Sequence, residues 1–87
     1  MKKQREKSSE EKLLSLLHSQ LSSAYATGLF GVKDYEKKIA SLSIGETIGV
    51  NGVILGKRQE KLLGVCQTID KAMIAIETLL VLYEQTQ

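Results

Sequence analysis

A seven-residue apolar repeat near the C-terminus constrains the fold of this chain more than any other feature. The repeat runs from Leu62 to Tyr83, and each heptad has apolar residues at its first, fourth and fifth positions. This spacing predicts a long amphipathic helix with one wide apolar stripe. The stripe consists of Leu62, Val65, Cys66, Ile69, Ala72, Met73, Ile76, Leu79, Leu80 and Tyr83.

The small size of the chain gives this stripe its significance. A chain of 87 residues forms one domain at most, and domains of this size often need disulfides, a metal or a partner subunit. One Cys cannot form an intrachain disulfide, and one His with one Cys provides too few ligands for a structural zinc site. We therefore expect homo-oligomerisation, with the ten stripe residues as the interface.

The segment before residue 28 predicts a first helix. Ser8 and Glu11 have the spacing of a capping box, so the helix should begin near Ser9. Gly28 should end it, because glycine readily adopts the left-handed conformation of a helix C-cap. The residues that we expect to face the core are Leu14, Leu17, Leu21 and Ala24.

A second short helix is predicted after a connection at residues 29–31. Its apolar positions recur at intervals of three, four and three residues. These positions are Val32, Tyr35, Ile39 and Leu42.

Residues 44–56 fit two structures. Asn51 and Gly52 form the favoured two-residue turn of a β-hairpin. Alternatively, Ser43 and Glu46 form a second capping box of a glycine-rich helix with a break near Asn51. In that helix one stripe would hold Gly45, Gly49, Gly52 and Gly56.

The helix is favoured because Leu55 lies seven residues before Leu62 and continues the long stripe. The predicted fold is all-α, a small helical bundle with a long C-terminal amphipathic helix, completed by homo-oligomerisation.

The charge distribution predicts the domain organisation. The net charge of +2 arises within residues 1–12, so we expect a flexible basic N-terminal arm at 1–8 and a single helical domain at 9–87. This excess is well below that of a dedicated nucleic-acid binder. Because no segment is apolar enough for a membrane helix or a signal peptide, we expect a cytoplasmic protein without membrane insertion.

The sequence does not indicate an enzyme. His18 and Cys66 could supply a base and a nucleophile, but the sequence identifies no third group that would orient them. Cys66 lies on the apolar stripe, where a buried core residue is expected. We predict no catalytic residue, no metal site and no cofactor.

A binding function therefore remains, and its ligand has two candidate chemistries. A small anionic ligand could meet backbone amides near Gly49 and Gly52 together with the cations of Lys57, Arg58 and Lys61. In the alternative, a dimeric DNA-binding regulator, those cations and the N-terminal arm would contact phosphates.

Eleven positions within residues 16–52 form a recognisable pattern, namely Ala24, Tyr25, Tyr35, Ile39, Ser43, Ile44, Gly45, Thr47, Gly49, Asn51 and Gly52. With this pattern, residues 16–52 resemble the C-terminal part of the enterocin-A-type immunity proteins of class IIa bacteriocins. The resemblance implies a small, basic, cytosolic helical bundle that protects its producer by acting on the membrane receptor of the bacteriocin. This chain lacks the two helices that would precede the matching part and adds a long helix after it, and no site residue is carried over.

The function expected from these observations is that of a non-enzymatic, oligomeric binding or regulatory protein. Small helical proteins of this kind are typical of phage or mobile-element accessory factors, which inhibit a host protein or sequester a small anionic ligand.

Overall fold

Two long helices form an antiparallel hairpin in the computed structural model, which describes residues 7–85. Helix α1 spans Ser9–Ala40, the one-turn helix α2 spans Ile44–Thr47, and helix α3 spans Val50–Gln85. The hairpin is 70 Å long and only 17 by 16 Å across. The predicted all-α fold is confirmed. The predicted basic arm lies mostly outside the described residues.

A seam of alternating three- and four-residue spacings joins the two helices. Every seam residue is buried or half-buried. A heptad pattern sustained along both helices is the packing of a coiled coil. The seam comprises Glu11, Leu14, His18, Leu21, Tyr25, Gly28, Val32, Tyr35, Ile39 and Leu42 on the first side, and Gly52, Leu55, Gln59, Leu62, Cys66, Ile69, Met73, Ile76, Leu80 and Tyr83 on the second.

Helix α1 does not end at Gly28, and that prediction was wrong. The helix continues to Ala40, so the expected connection at residues 29–31 and the separate second helix do not exist. Gly28 and Gly31 instead allow α3 to come close. A Cβ atom at Gly28 would lie 2.6 Å from Cys66 Sγ, and one at Gly31 would lie 2.8 Å from Leu62 Cδ2.

The expected core face of the first helix was also partly wrong. Leu17 is 42% exposed and Ala24 is exposed, whereas the neighbouring residues His18 and Tyr25 lie in the seam. The reason is the length of α1. Because the helix continues to Ala40, the half-buried Val32 and Ile39 belong to the same seam, and heptads counted back from Val32 fall at Tyr25 and His18 rather than at Ala24 and Leu17.

Both predicted capping boxes are confirmed. Ser8 Oγ accepts a hydrogen bond from the Glu11 N–H at 3.2 Å, and a Glu11 carboxylate oxygen accepts one from the Ser8 N–H at 3.3 Å. Ser43 and Glu46 make the same pair of bonds at 3.2 and 3.1 Å. Hydrogen bonds to the Glu46 carboxylate from the Ser43 backbone and, with a smaller effect, from the Ser43 side chain lower the pKa of this carboxyl. The second box caps only the short helix α2.

The segment 44–56 is helical, and the β-hairpin alternative does not form. The break falls at Ile48 and Gly49 rather than near Asn51. Gly52 is buried against the backbone of the preceding helix α2. A Cβ atom at Gly52 would lie 2.6 Å from the Glu46 carbonyl oxygen and closer still to the Thr47 carbonyl oxygen. The absence of a side chain at Gly52 therefore permits the tight turn between α2 and α3.

Two glycines of α3 provide a matched test of this turn. Gly56→Ala should raise the free energy of unfolding by about 0.8–1 kcal/mol, because alanine is the better helix former and no atom lies within 4 Å of the added Cβ. Gly52→Ala should lower it by about 1–3 kcal/mol, because its Cβ would overlap rigid backbone oxygens. Urea unfolding followed by circular dichroism measures both values, and equal stabilisation by the two variants would contradict the described turn.

Candidate functional site

The hairpin has two lateral sides, which differ in chemistry. Each side is a row of residues next to the seam on α1 and the matching row on α3. The Tyr83 hydroxyl donates a hydrogen bond to a Glu10 carboxylate oxygen on one side. His18 Nε2 lies 3.3 Å from a Glu77 carboxylate oxygen on the other side. These two contacts show which residues border each side.

The first side, which we call the apolar side, has small and aliphatic residues directly before every second seam position. These seam positions are His18, Tyr25 and Val32 on α1 and Cys66, Met73 and Leu80 on α3. On α1 this row is bounded by the charged residues Glu10 and Lys38, and on α3 it begins after Arg58. Between these charges it carries no ionisable group. The residues of the apolar side are Leu17, Ala24 and Gly31 of α1 and Val65, Ala72 and Leu79 of α3.

The opposite side, which we call the acidic side, has mostly polar residues. Leu29 and Leu63 are the apolar residues of its rows. Its polar residues are Ser15, Ser22, Glu36, Asp70, Glu77 and Glu84. The two sides therefore differ although they border the same seam.

The ten residues of the predicted interface divide between the seam and the apolar side. Seven of them lie in the seam and pack within the chain, so that Cys66 is only 3% exposed and Ile76 only 6%. The other three form the α3 row of the apolar side, where Val65 is 52% exposed and Leu79 is 44% exposed. The interface remains a prediction, and these exposed residues are the ones accessible to a second chain.

The α1 row of the apolar side was not predicted, because other roles were expected for its members. Leu17 and Ala24 were expected in the core, and Gly31 was expected in a connection. The signal that identifies them is the unbroken alternation of three and four residues from Glu11 to Leu42.

Further exposed apolar side chains lie outside the apolar side. Ile44, Ile48 and Val50 form an apolar tip at the turn, and each is at least three-quarters exposed. Others lie on the outer faces of the two long helices, namely Leu13, Leu16, Phe30, Val53, Ile54, Ile74, Val81 and Leu82.

The residues expected to bind an anion do not converge. The Gly49 N–H donates to the Glu46 carbonyl oxygen at 3.2 Å, and Gly52 is buried against α2. At about 100° of rotation per residue, Lys61 lies about 180° around α3 from Gly52. Lys57 and Arg58 lie about 140° and 120° from Gly52 by the same geometry. The amides and the cations therefore face different directions.

The candidate nucleophile and base are also apart. His18 contacts Glu77, which lies eleven residues along α3 from Cys66, or about 16 Å. Cys66 itself is buried against Gly28. Residues 7–85 contain no group of three or more His, Cys, Asp or Glu side chains that could hold a metal ion.

Comparison of the chain with known protein families, curated proteins and solved structures found no match. Across residues 7–85, neither of the two long helices has a stretch that is apolar enough to cross a membrane.

The hydrogen bond between Tyr83 and Glu10 lies at the open end of the hairpin, where α1 begins and α3 ends. Its effect on the titration of Tyr83 can be measured. The bond to Glu10, followed by burial and the negative charges of Glu10 and Glu11, raises the pKa of the Tyr83 phenol. Because the neutral phenol is the donor, the contact should stabilise the fold fully below the ordinary tyrosine pKa of about 10. This contribution should disappear as the pH rises through the pKa of Tyr83 in the folded protein. Glu10→Gln should lower the pKa of Tyr83 in an NMR titration.

Glu84→Gln is the matched control for this titration, since it removes the carboxylate next to Tyr83 in sequence, whereas the phenol donates its hydrogen bond to Glu10. It should change the Tyr83 pKa less than Glu10→Gln. Equal changes in the two variants would contradict the assigned hydrogen bond.

Proposed function

We propose that this chain is a non-enzymatic binding protein that acts as a homo-oligomer, in which exposed apolar residues of α1 and α3 are covered by helices of another copy. The observation that carries the proposal is the imbalance between buried and exposed apolar residues. Among the described residues, Cys66 and Ile76 are the only buried apolar side chains, whereas sixteen large apolar side chains are exposed.

The shape of the chain supports the same conclusion. Its radius of gyration is 19.8 Å, whereas a compact domain of this length would have one of about 12 Å. A two-helix hairpin buries little of its apolar surface, and chains of this size commonly gain the missing burial from a partner subunit. Exposed apolar area of this extent in a folded chain is typical of an interaction surface.

In this proposal, the oligomer binds another protein through helix packing and regulates it. The phage or mobile-element context and the resemblance to bacteriocin immunity proteins remain predictions. Two other ligand classes have less support. The diverging positions of Gly52 and Lys61 do not favour a small anionic ligand, and the ion pair between Lys38 and Asp34 at 3.0 Å illustrates the mixed charge near the turn, which does not favour DNA.

Self-association is tested on the full chain by light scattering coupled to gel filtration. We expect a mass at least twice the 9.6 kDa of one chain. We also expect the midpoint of thermal unfolding to rise with protein concentration, because association stabilises the folded state by mass action. A mass of one chain together with a midpoint that does not depend on concentration would overturn the proposal.

A further inference from the structure

We infer that the apolar side is covered by a second copy of this chain in reversed orientation, so that two hairpins form an antiparallel four-helix bundle. A two-fold axis would pass between the copies at the level of Ala24 and Ala72. This inference rests on the proposed function and specifies which surface is used and how the copies are oriented. Three features of the apolar side support it.

The first feature is the absence of charge. From Leu17 to Gly31 on α1, and from Val65 to Leu79 on α3, the apolar side carries no ionisable residue. A surface of this kind can face its own copy without electrostatic cost. The acidic side cannot do so equally well, because a two-fold contact there would bring several carboxylates together.

The second feature is a gradient of side-chain size along the apolar side. Leu17 and Leu79 lie toward the open end, Ala24 and Ala72 lie in the middle, and Gly31 and Val65 lie toward the turn. Seven residues, or about 10.5 Å, separate the middle from either level.

A reversed second copy would therefore place its leucines against the smaller residues of the first. The small side chains at the axis would allow the helices to approach closely. If the copies instead had the same orientation, Leu17 and Leu79 of both chains would crowd at one level.

The third feature is the position of the flanking charges. Glu10 precedes Ala24 by fourteen residues, and Lys38 follows it by fourteen. Reversal about an axis at Ala24 therefore brings Lys38 of each copy beside Glu10 of the other. The same-orientation arrangement would instead bring Lys38 beside Arg58 of the other copy, which is a repulsive contact.

The available area is sufficient for a stable dimer. The apolar side with its flanking charges extends over 28 residues of α1, or about 42 Å, across a hairpin 17 Å wide. Contact along this length buries roughly 700 Å² on each copy, within the usual range of about 1,200–2,000 Å² in total for specific interfaces.

A matched pair of leucines tests which side is used. Leu79 on the apolar side is 44% exposed and Leu63 on the acidic side is 40% exposed, so lysine at either position should cost the isolated hairpin a similar amount. Leu79→Lys should reduce the mass in light scattering to that of one chain, whereas Leu63→Lys should keep the mass of the wild type. Retained mass in Leu79→Lys, or dissociation of both variants, would overturn the inference.

Cysteine cross-linking tests the orientation, and it does not depend on the folding of the lysine variants. In a Cys66→Ala background, Ala72→Cys places one thiol per chain at the two-fold axis. The two Cα atoms should then lie within the roughly 7 Å that a disulfide can bridge. Mild oxidation should link the Ala72→Cys protein into covalent dimers. Asp70→Cys on the acidic side is the control and should remain unlinked.

A different cross-linking result would show that the two copies have the same orientation. With both copies in the same orientation, Ala24 of one chain would face Ala72 of the other. A mixture of the Ala24→Cys and Ala72→Cys proteins would then cross-link, whereas Ala72→Cys alone would not, and this result would overturn the inference.

The mass of the wild-type protein separates the two proposals. An oligomer that does not follow the lysine and cysteine patterns would overturn the inference about the apolar side and leave the proposed function intact. A wild-type protein with the mass of a single chain would overturn both.

Discussion

The close approach of α1 and α3 at Gly28 is the contact on which the rest of the hairpin depends. The space that a Cβ atom would occupy at Gly28 is taken by Cys66 Sγ, and the space at Gly31 is taken by Leu62. These two contacts set the register of the seam. The register in turn determines which residues form the apolar side and which form the acidic side, so the candidate interaction surface follows from two missing side chains in the middle of α1.

Part of this architecture was predictable from local patterns. Capping boxes at Ser8 and Ser43 depend on four consecutive residues, and the heptads from Leu62 to Tyr83 depend on one helix alone. The sequence therefore identified the start of α1, the course of α3 and the all-α fold.

Other parts depend on contacts between distant residues. Glycine has the same local preferences whether it ends a helix or lies beneath a neighbouring helix, and only the position of Cys66 distinguishes the two roles of Gly28. The exposure of Leu17 follows from the same contact, because the continuous helix shifts the seam to His18. The α3 row of the candidate surface was therefore predictable, because it is part of the predicted stripe. The α1 row was not, because α1 was expected to end at Gly28.

The turn at Gly52 has a consequence for how the hairpin assembles. Gln59 contacts Val32 across 27 residues of chain, His18 contacts Glu77 across 59, and Tyr83 contacts Glu10 across 73. Loop closure costs more conformational entropy as the intervening chain lengthens, so pairing next to the turn is the least costly nucleus and each later contact shortens the effective loop of the next. The least costly order of closure therefore runs from the turn toward the open end. In that order, a substitution at the open end weakens only the last contacts, whereas one at the turn hinders every contact that follows.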